Sequence, residues 1–120
     1  MKLRKVIDAR RVLDSFSSQE GLGAHLAYWM TKFVVKTENE HIFYAKEMRK
    51  LIDAYSTHNA NGATVIPTEQ IENFYAAVDR LNNTDVEDPG IRFSLSELST
   101  ELKLSMQQMY LLLDFIEEEK

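Results

Sequence analysis

The sequence contains no cysteine, which excludes a disulfide scaffold, thiol catalysis and cysteine-ligated zinc together. Proline occurs twice and glycine four times in 120 residues, too few breakers for a linker or a disordered tail. No apolar run approaches the roughly 20 residues that a membrane span requires. Behind Met1-Lys2-Leu3-Arg4-Lys5 no long apolar stretch follows to make a signal peptide. With 44% apolar and 28% charged residues, the chain reads as one soluble, cytoplasmic globular domain over residues 1–120, with enough apolar material for a core.

Charge is unevenly placed. The first 36 residues carry seven basic side chains against three acidic ones, and the remainder carries seven against sixteen, for a net charge of −5. An acidic body of this kind lacks the basic excess that neutralising a phosphate backbone requires. Nucleic-acid binding therefore ranks second among the functions considered. It would use Arg4, Lys5, Arg10 and Arg11, with Lys32 and Lys36 as neighbours.

Hydrophobic periodicity predicts a mostly α fold. Ala9, Val12, Leu13 and Phe16 follow helical spacing behind Asp8, a candidate N-cap, and Ser17-Ser18 and Gly21 close that helix. Residues 22–56 read as helix throughout. Leu22, Leu26, Trp29, Met30, Phe33, Tyr44, Met48, Leu51, Ile52 and Tyr55 advance in steps of three and four, with no breaker after Gly23. As one straight rod this element would measure about 52 Å, against a diameter of about 35 Å for a globule of this size. Two resolutions are open. Thr37-Glu38-Asn39-Glu40 matches a capping box and marks a break; otherwise an unbroken helix projects and packs against a second copy or a partner. Ala27, Val34, Val35, Ile42, Phe43 and Ala45 lie off the main stripe, so a second face is buried, either inside a bundle with this helix at its centre or against another protein.

Beyond it, the stretch from Ser56 to Pro67 is a loop in which Asn61-Gly62 supplies a positive-φ turn. Pro67 opens a helix with Ile71, Phe74, Tyr75, Val78 and Leu81 on its stripe. Residues 64–66 and 91–94 are candidates for a minor two-stranded β element. Ser94-Leu95-Ser96-Glu97 and Ser105-Met106-Gln107-Gln108 are capping boxes for two closing helices. On the last helix Tyr110, Leu111 and Phe115 widen the apolar face beyond one stripe, and Glu117-Glu118-Glu119-Lys120 is a solvated tail. The expected core includes Trp29, Phe33, Leu51, Phe74, Leu81 and Leu112, with Leu51→Ala or Phe74→Ala costing roughly 2–5 kcal/mol.

No catalytic constellation emerges. Glu38 and His41 form a single Glu-x-x-His step, whereas a di-iron bundle needs a second such step and further glutamates. His25, His41 and His58 are scattered. Gly21-Leu22-Gly23 lacks the third glycine of a dinucleotide fingerprint, and no Gly-x-Ser-x-Gly elbow is present. The chain is therefore read as a non-enzyme that needs no metal or cofactor. Its candidate partner-binding residues are Arg10, Arg11, Phe43, Tyr110 and Phe115.

The order of features also resembles small uncharacterised helical proteins of bacteriophages and prophages. The likeness lies in Met1-Lys2-Leu3, the run Tyr44-Ala45-Lys46-Glu47-Met48-Arg49-Lys50-Leu51-Ile52-Asp53-Ala54-Tyr55, a polar loop, Ile91-Arg92-Phe93-Ser94-Leu95 and a Leu-rich closing helix with Phe115-Ile116. The resemblance implies a viral accessory protein in a bacterial cytoplasm that binds a host or virion protein. It would act as an inhibitor or an assembly factor. A homodimer or hetero-complex is the expected state.

Overall fold

The computed structural model describes residues 1–117; Glu118, Glu119 and Lys120 of the expected tail lie outside them. Helix α1 (Leu3–Asp14) is the central element: Leu3, Val6, Ile7, Ala9, Arg10, Val12 and Leu13 are all buried. It starts a turn and a half before Asp8, which is no N-cap but a mid-helix residue paired with Arg4 four positions earlier. The N-terminus is tied down by residues 84–86, where Leu3 N donates to Thr84 O and Val86 N to Met1 O, each at 2.8 Å. The expectation that residues 22–56 form the centre of the bundle is corrected accordingly.

That long segment is two helices, α2 (Ala24–Lys36) and α3 (Glu38–Tyr55), broken at Thr37. Thr37 has φ −102° and ψ 10°, outside helical geometry. The break falls where the sequence marked it, but the capping box does not form, because no side chain caps α3. Backbone bonds still run across it, from Thr37 N to Phe33 O and from His41 N to Thr37 O, each 3.0 Å. The inner stripe of Leu26, Met30, Phe33 and Thr37 is buried and leads on to half-buried Tyr44 and Met48.

One core cluster joins α1 and α2 to the C-terminal elements: β3 (Phe93–Ser94), α5 (Leu95–Glu101), α6 (Met106–Leu112), a 3-10 turn (Leu113–Phe115) and β4 (Ile116–Glu117). Phe33 sits at its middle, with its ring edge-on to Phe115 at 5.0 Å between centroids. A smaller cluster of Leu3, Ile7 and Leu81 packs against Tyr44, Met48 and Leu51. It joins α1 to the antiparallel pair of α3 and α4 (Thr68–Asn82).

The α3/α4 pair forms an arm. Tyr44 Oη donates to Asn82 Oδ1 (2.9 Å) at its base, and Tyr55 stacks edge-on against Phe74 further out. No residue of α3 is fully buried. The molecule is consequently elongated, 53 × 30 × 25 Å with a radius of gyration of 17.4 Å, against about 14 Å for a globule of this length. Elongation, more than the break, accommodates the long segment. Leu51 and Phe74 are half-buried rather than core, so truncating either removes less buried surface than the sequence implied. Trp29 is 37% exposed, since it stands one position off the inner stripe and packs against Tyr28 instead.

Two small sheets replace the expected one. Residues 64–66 and 91–94 do not pair with each other. β1 (Thr57–His58) and β2 (Thr64–Val65) make an antiparallel ribbon at the tip of the arm, and β3 pairs in parallel with β4. The ribbon closes through Gly62 at φ +80°, where Asn59 Oδ1 accepts from Asn61 N and Ala63 N. The capping box at Ser105 and Gln108 forms in full.

Candidate partner-binding face

Arg10 explains the break at Thr37. Its guanidinium donates through Nη1 to Val34 O (2.6 Å) and Thr37 Oγ1 (3.2 Å), and through Nη2 to Glu38 Oε2 (2.6 Å). In a continuous helix Val34 O would accept from the amide of residue 38; here the arginine occupies it. Thr37 Oγ1 turns back to donate to Phe33 O (2.7 Å), a bond that bends helices. Arg10 is 6% exposed. It is thus a structural pin between α1 and α2–α3, and its placement among partner-binding residues is corrected.

Phe115 is corrected for the same reason: it is wholly buried against Phe33, with Arg92 over its ring at 5.6 Å. Arg11 is exposed and lies 6.0 Å from the Tyr44 ring centroid, at the foot of α3. Phe43 is 43% exposed on α3. Tyr110 stands in a separate cleft of about 590 Å³ with Leu113, Asn82 and Asp79. Phe43 is not among the residues lining that cleft, so the five candidates do not form one site.

The residues the structure does bring together lie on the outer side of α2–α3, opposite the buried stripe. Tyr28, Val35 and Ile42 are 58%, 64% and 54% exposed, and they stand seven residues apart. Within one helix that spacing keeps one side, which sets Tyr28 and Val35 about 10.5 Å apart along α2; Ile42 follows on α3, beyond the break at Thr37. Phe43 extends the row. Lys32 and Lys46 stand along it, and among the described residues neither has a carboxylate partner; Lys36 turns instead to Pro89 O, in a cleft that it lines with Glu40, Glu87 and Asp88. Glu38 is paired with Arg10 and stays half exposed. In a chain of net charge −5 this is a basic, apolar strip. Ala27, Val34, Val35, Ile42, Phe43 and Ala45 were legible as off the main stripe, so two members of the row, Val35 and Ile42, were visible in the sequence, whereas their alignment with Tyr28 stands out only once Thr37 is known to face inward.

Beside the strip runs a groove of about 420 Å³ between α2 and the end of α1, lined by Leu13, Phe16, Leu22, Met30, Val34 and Val35. Its lining is largely apolar, and it is wide enough to accept a large side chain.

Nothing comparable gathers for chemistry. Among the described residues no group of three or more His, Asp or Glu side chains could hold a metal ion, and no helix is long and apolar enough to cross a membrane. His25 Nδ1 lies 3.0 Å from Glu97 at the start of α2, far along the chain from His41 and His58. Among the described residues the one strongly perturbed carboxylate is Asp88. The Arg92 guanidinium, 2.6 Å away, and then the Gly90 amide at 2.8 Å hold it at about 2, below its ordinary 3.8. The same pair raises Arg92. It fixes the Pro89-Gly90 turn, next to Arg92 over the Phe115 ring.

A carboxyl depressed on folding stabilises the fold above its unfolded pKa, and that contribution fades as pH falls through the unfolded value toward the folded one. Wild type is therefore expected to exceed Asp88→Asn in stability at neutral pH, with the gap closing between about pH 4 and pH 2. Denaturant titrations at several pH values measure this; a gap that does not vary with pH would show that the pair contributes nothing through charge.

Compared with known proteins, the chain matches no family model, no curated protein and no solved structure.

Proposed function

We propose that this protein is a non-enzymatic protein-binding accessory factor, phage-encoded and working in a bacterial cytoplasm as an inhibitor of a host protein or as a virion assembly factor. The observation that carries the protein-binding part is the outward row of Tyr28, Val35 and Ile42 on α2–α3, each more than half exposed. Single exposed apolar residues are ordinary, but a row at helical repeat beside an apolar groove marks a docking surface. The viral context and the two modes of action rest on the sequence resemblance. Complex formation with a partner, or between copies, follows from the same row.

The rival reading, a nucleic-acid-binding regulator, draws less support. Of its cations, Lys2 pairs with Asp85, Arg4 with Asp8 and Lys5 with Asp114, while Arg10 is buried. The N-terminal segment thus presents few uncommitted charges to a phosphate backbone. A pull-down from bacterial lysate, with and without nuclease, using wild type and Val35→Glu plus Ile42→Glu, tests the reading. Capture that survives nuclease and is lost in the double variant is expected. Capture that nuclease abolishes would put the rival first.

A further inference from the structure

We propose that Asn61, at the tip of the arm, is a site of spontaneous covalent modification, where its side-chain amide is lost through attack by the backbone nitrogen of Gly62. The chemistry needs only water and a nitrogen able to approach Asn61 Cγ. Once its proton has passed to hydroxide, the Gly62 nitrogen bonds to Cγ. The side-chain nitrogen takes a proton back from water and leaves as ammonia, and a five-membered succinimide ring remains. Water then opens the ring at either carbonyl. Addition at Cγ gives aspartate, whereas addition at the main-chain carbonyl gives isoaspartate, whose backbone runs through the former side chain. Overall one water is consumed and one ammonia released, with no change of oxidation state.

The structure separates Asn61 from the other five asparagines. Asn39, Asn73 and Asn82 are held in helical backbone geometry. Asn83 Nδ2 donates to Asp79 O (2.9 Å), and Asn59 Oδ1 accepts from Asn61 N and Ala63 N. Each of these five is followed by a residue with a Cβ, which crowds the attacking nitrogen. Asn61 is exposed, and among the described residues its side chain holds no partner. Nothing lies within 4 Å of where a Cβ on Gly62 would stand, so the ring has room to form. One bond restrains the reaction, from Gly62 N to Asn59 O (2.9 Å), and local opening releases it. The ribbon consists of two residue pairs, Thr57 with Val65 and His58 with Thr64, and all four residues are exposed. Such a ribbon is marginal by itself and opens well below the cost of global unfolding.

Either product adds a carboxylate, and isoaspartate also lengthens the main chain between Asn61 and Gly62 by one carbon. Asn59 then cannot hold Asn61 N and Ala63 N in one cradle, and β1 and β2 lose their register. The core clusters contain no residue between Leu51 and Leu81, so the body keeps its packing. The change is a one-way mark confined to the tip.

The test incubates the full-length protein at body temperature and mildly alkaline pH over weeks. Samples are mapped by mass spectrometry with fragmentation that separates isoaspartate from aspartate. Asn61 is expected to convert first, with isoaspartate as the major product. The acidic species should be lost in Asn61→Gln, whose longer side chain closes a larger ring far more slowly. Asn59→Ala removes the cradle and is expected to speed conversion at Asn61 severalfold, whereas Phe33→Ala, which weakens the body, should leave the rate unchanged. Circular dichroism checks that each variant keeps its helix content. Conversion at Asn61 no faster than at Asn39, Asn73 or Asn83 overturns the proposal. So does a rate that rises in Phe33→Ala and is indifferent to Asn59→Ala, because the reaction would then belong to the unfolded chain and not to the opened tip.

Discussion

Phe33→Ala is expected to lower the unfolding free energy by about 3–5 kcal/mol, the range for removing a large buried aromatic side chain. Phe33 is fully buried and meets Phe115 edge-on and Phe93 at 6.1 Å. Its ring therefore bridges α2 to β3 and to the 3-10 turn that leads into β4. The loss has two parts: the transfer of the ring from water, and the cavity that rigid neighbours leave behind. Those neighbours come from two separate parts of the chain, so no single element can move inward to refill the space. Chemical denaturation at neutral pH measures the effect, with Trp29 as the fluorescent reporter. Leu51→Ala serves as the control, because Leu51 is only half-buried on the arm and should cost distinctly less. Equal losses at the two positions would show that the arm is as well packed as the body and would contradict the division into two clusters.

Arg10→Ala is expected to cost about 2–4 kcal/mol, from the buried Thr37 hydroxyl left without its donor and the lost packing and hydrogen bonds of the guanidinium. Glu38 and Asp14 are about half exposed and return to water, so the unpaired acids add little. The structural outcome separates this pin from an ordinary core residue. With the guanidinium gone, Val34 O is free to accept from the amide of Glu38, and residues 24–55 contain no proline or glycine to prevent one continuous helix. Because the chain has no cysteine, two can be introduced at exposed Tyr28 and Ile52 for spin labelling. A continuous helix sets these positions about 36 Å apart. The measured distance is expected to move toward that value in Arg10→Met, which fills the space without donating, and to stay at the wild-type value in Arg10→Lys if one donor suffices. An unchanged distance in Arg10→Met would falsify the assignment of the bend to Arg10.

Local sequence pattern by itself determined the mostly α fold, helix over most of 22–56 and from Pro67 to Leu81, the turn at Gly62, the closing capping box at Ser105, and the burial of Phe33, Leu81 and Leu112. Each depends on neighbours within about four residues, and local spacing records those directly. The same arithmetic located a break at Thr37 but attached it to a capping box, because the true cause is a side chain 27 residues away. Arg10 and Phe115 looked like surface candidates for a related reason. A charge or an aromatic ring at the edge of a stripe carries no mark of what will pack over it, and here α2 covers one and Phe33 the other. Trp29 shows the converse error: one helical step off the stripe is too small to resolve from spacing alone. Strand partners were equally hidden, since two-residue strands hold too little pattern to specify a mate and the parallel pairing of Phe93 with Ile116 forms only after α5 and α6 have folded back. The partner-binding face belongs to this second group. Its residues were visible as departures from the main stripe, but which of them face water together was decided by the side of α2–α3 that α1 occupies.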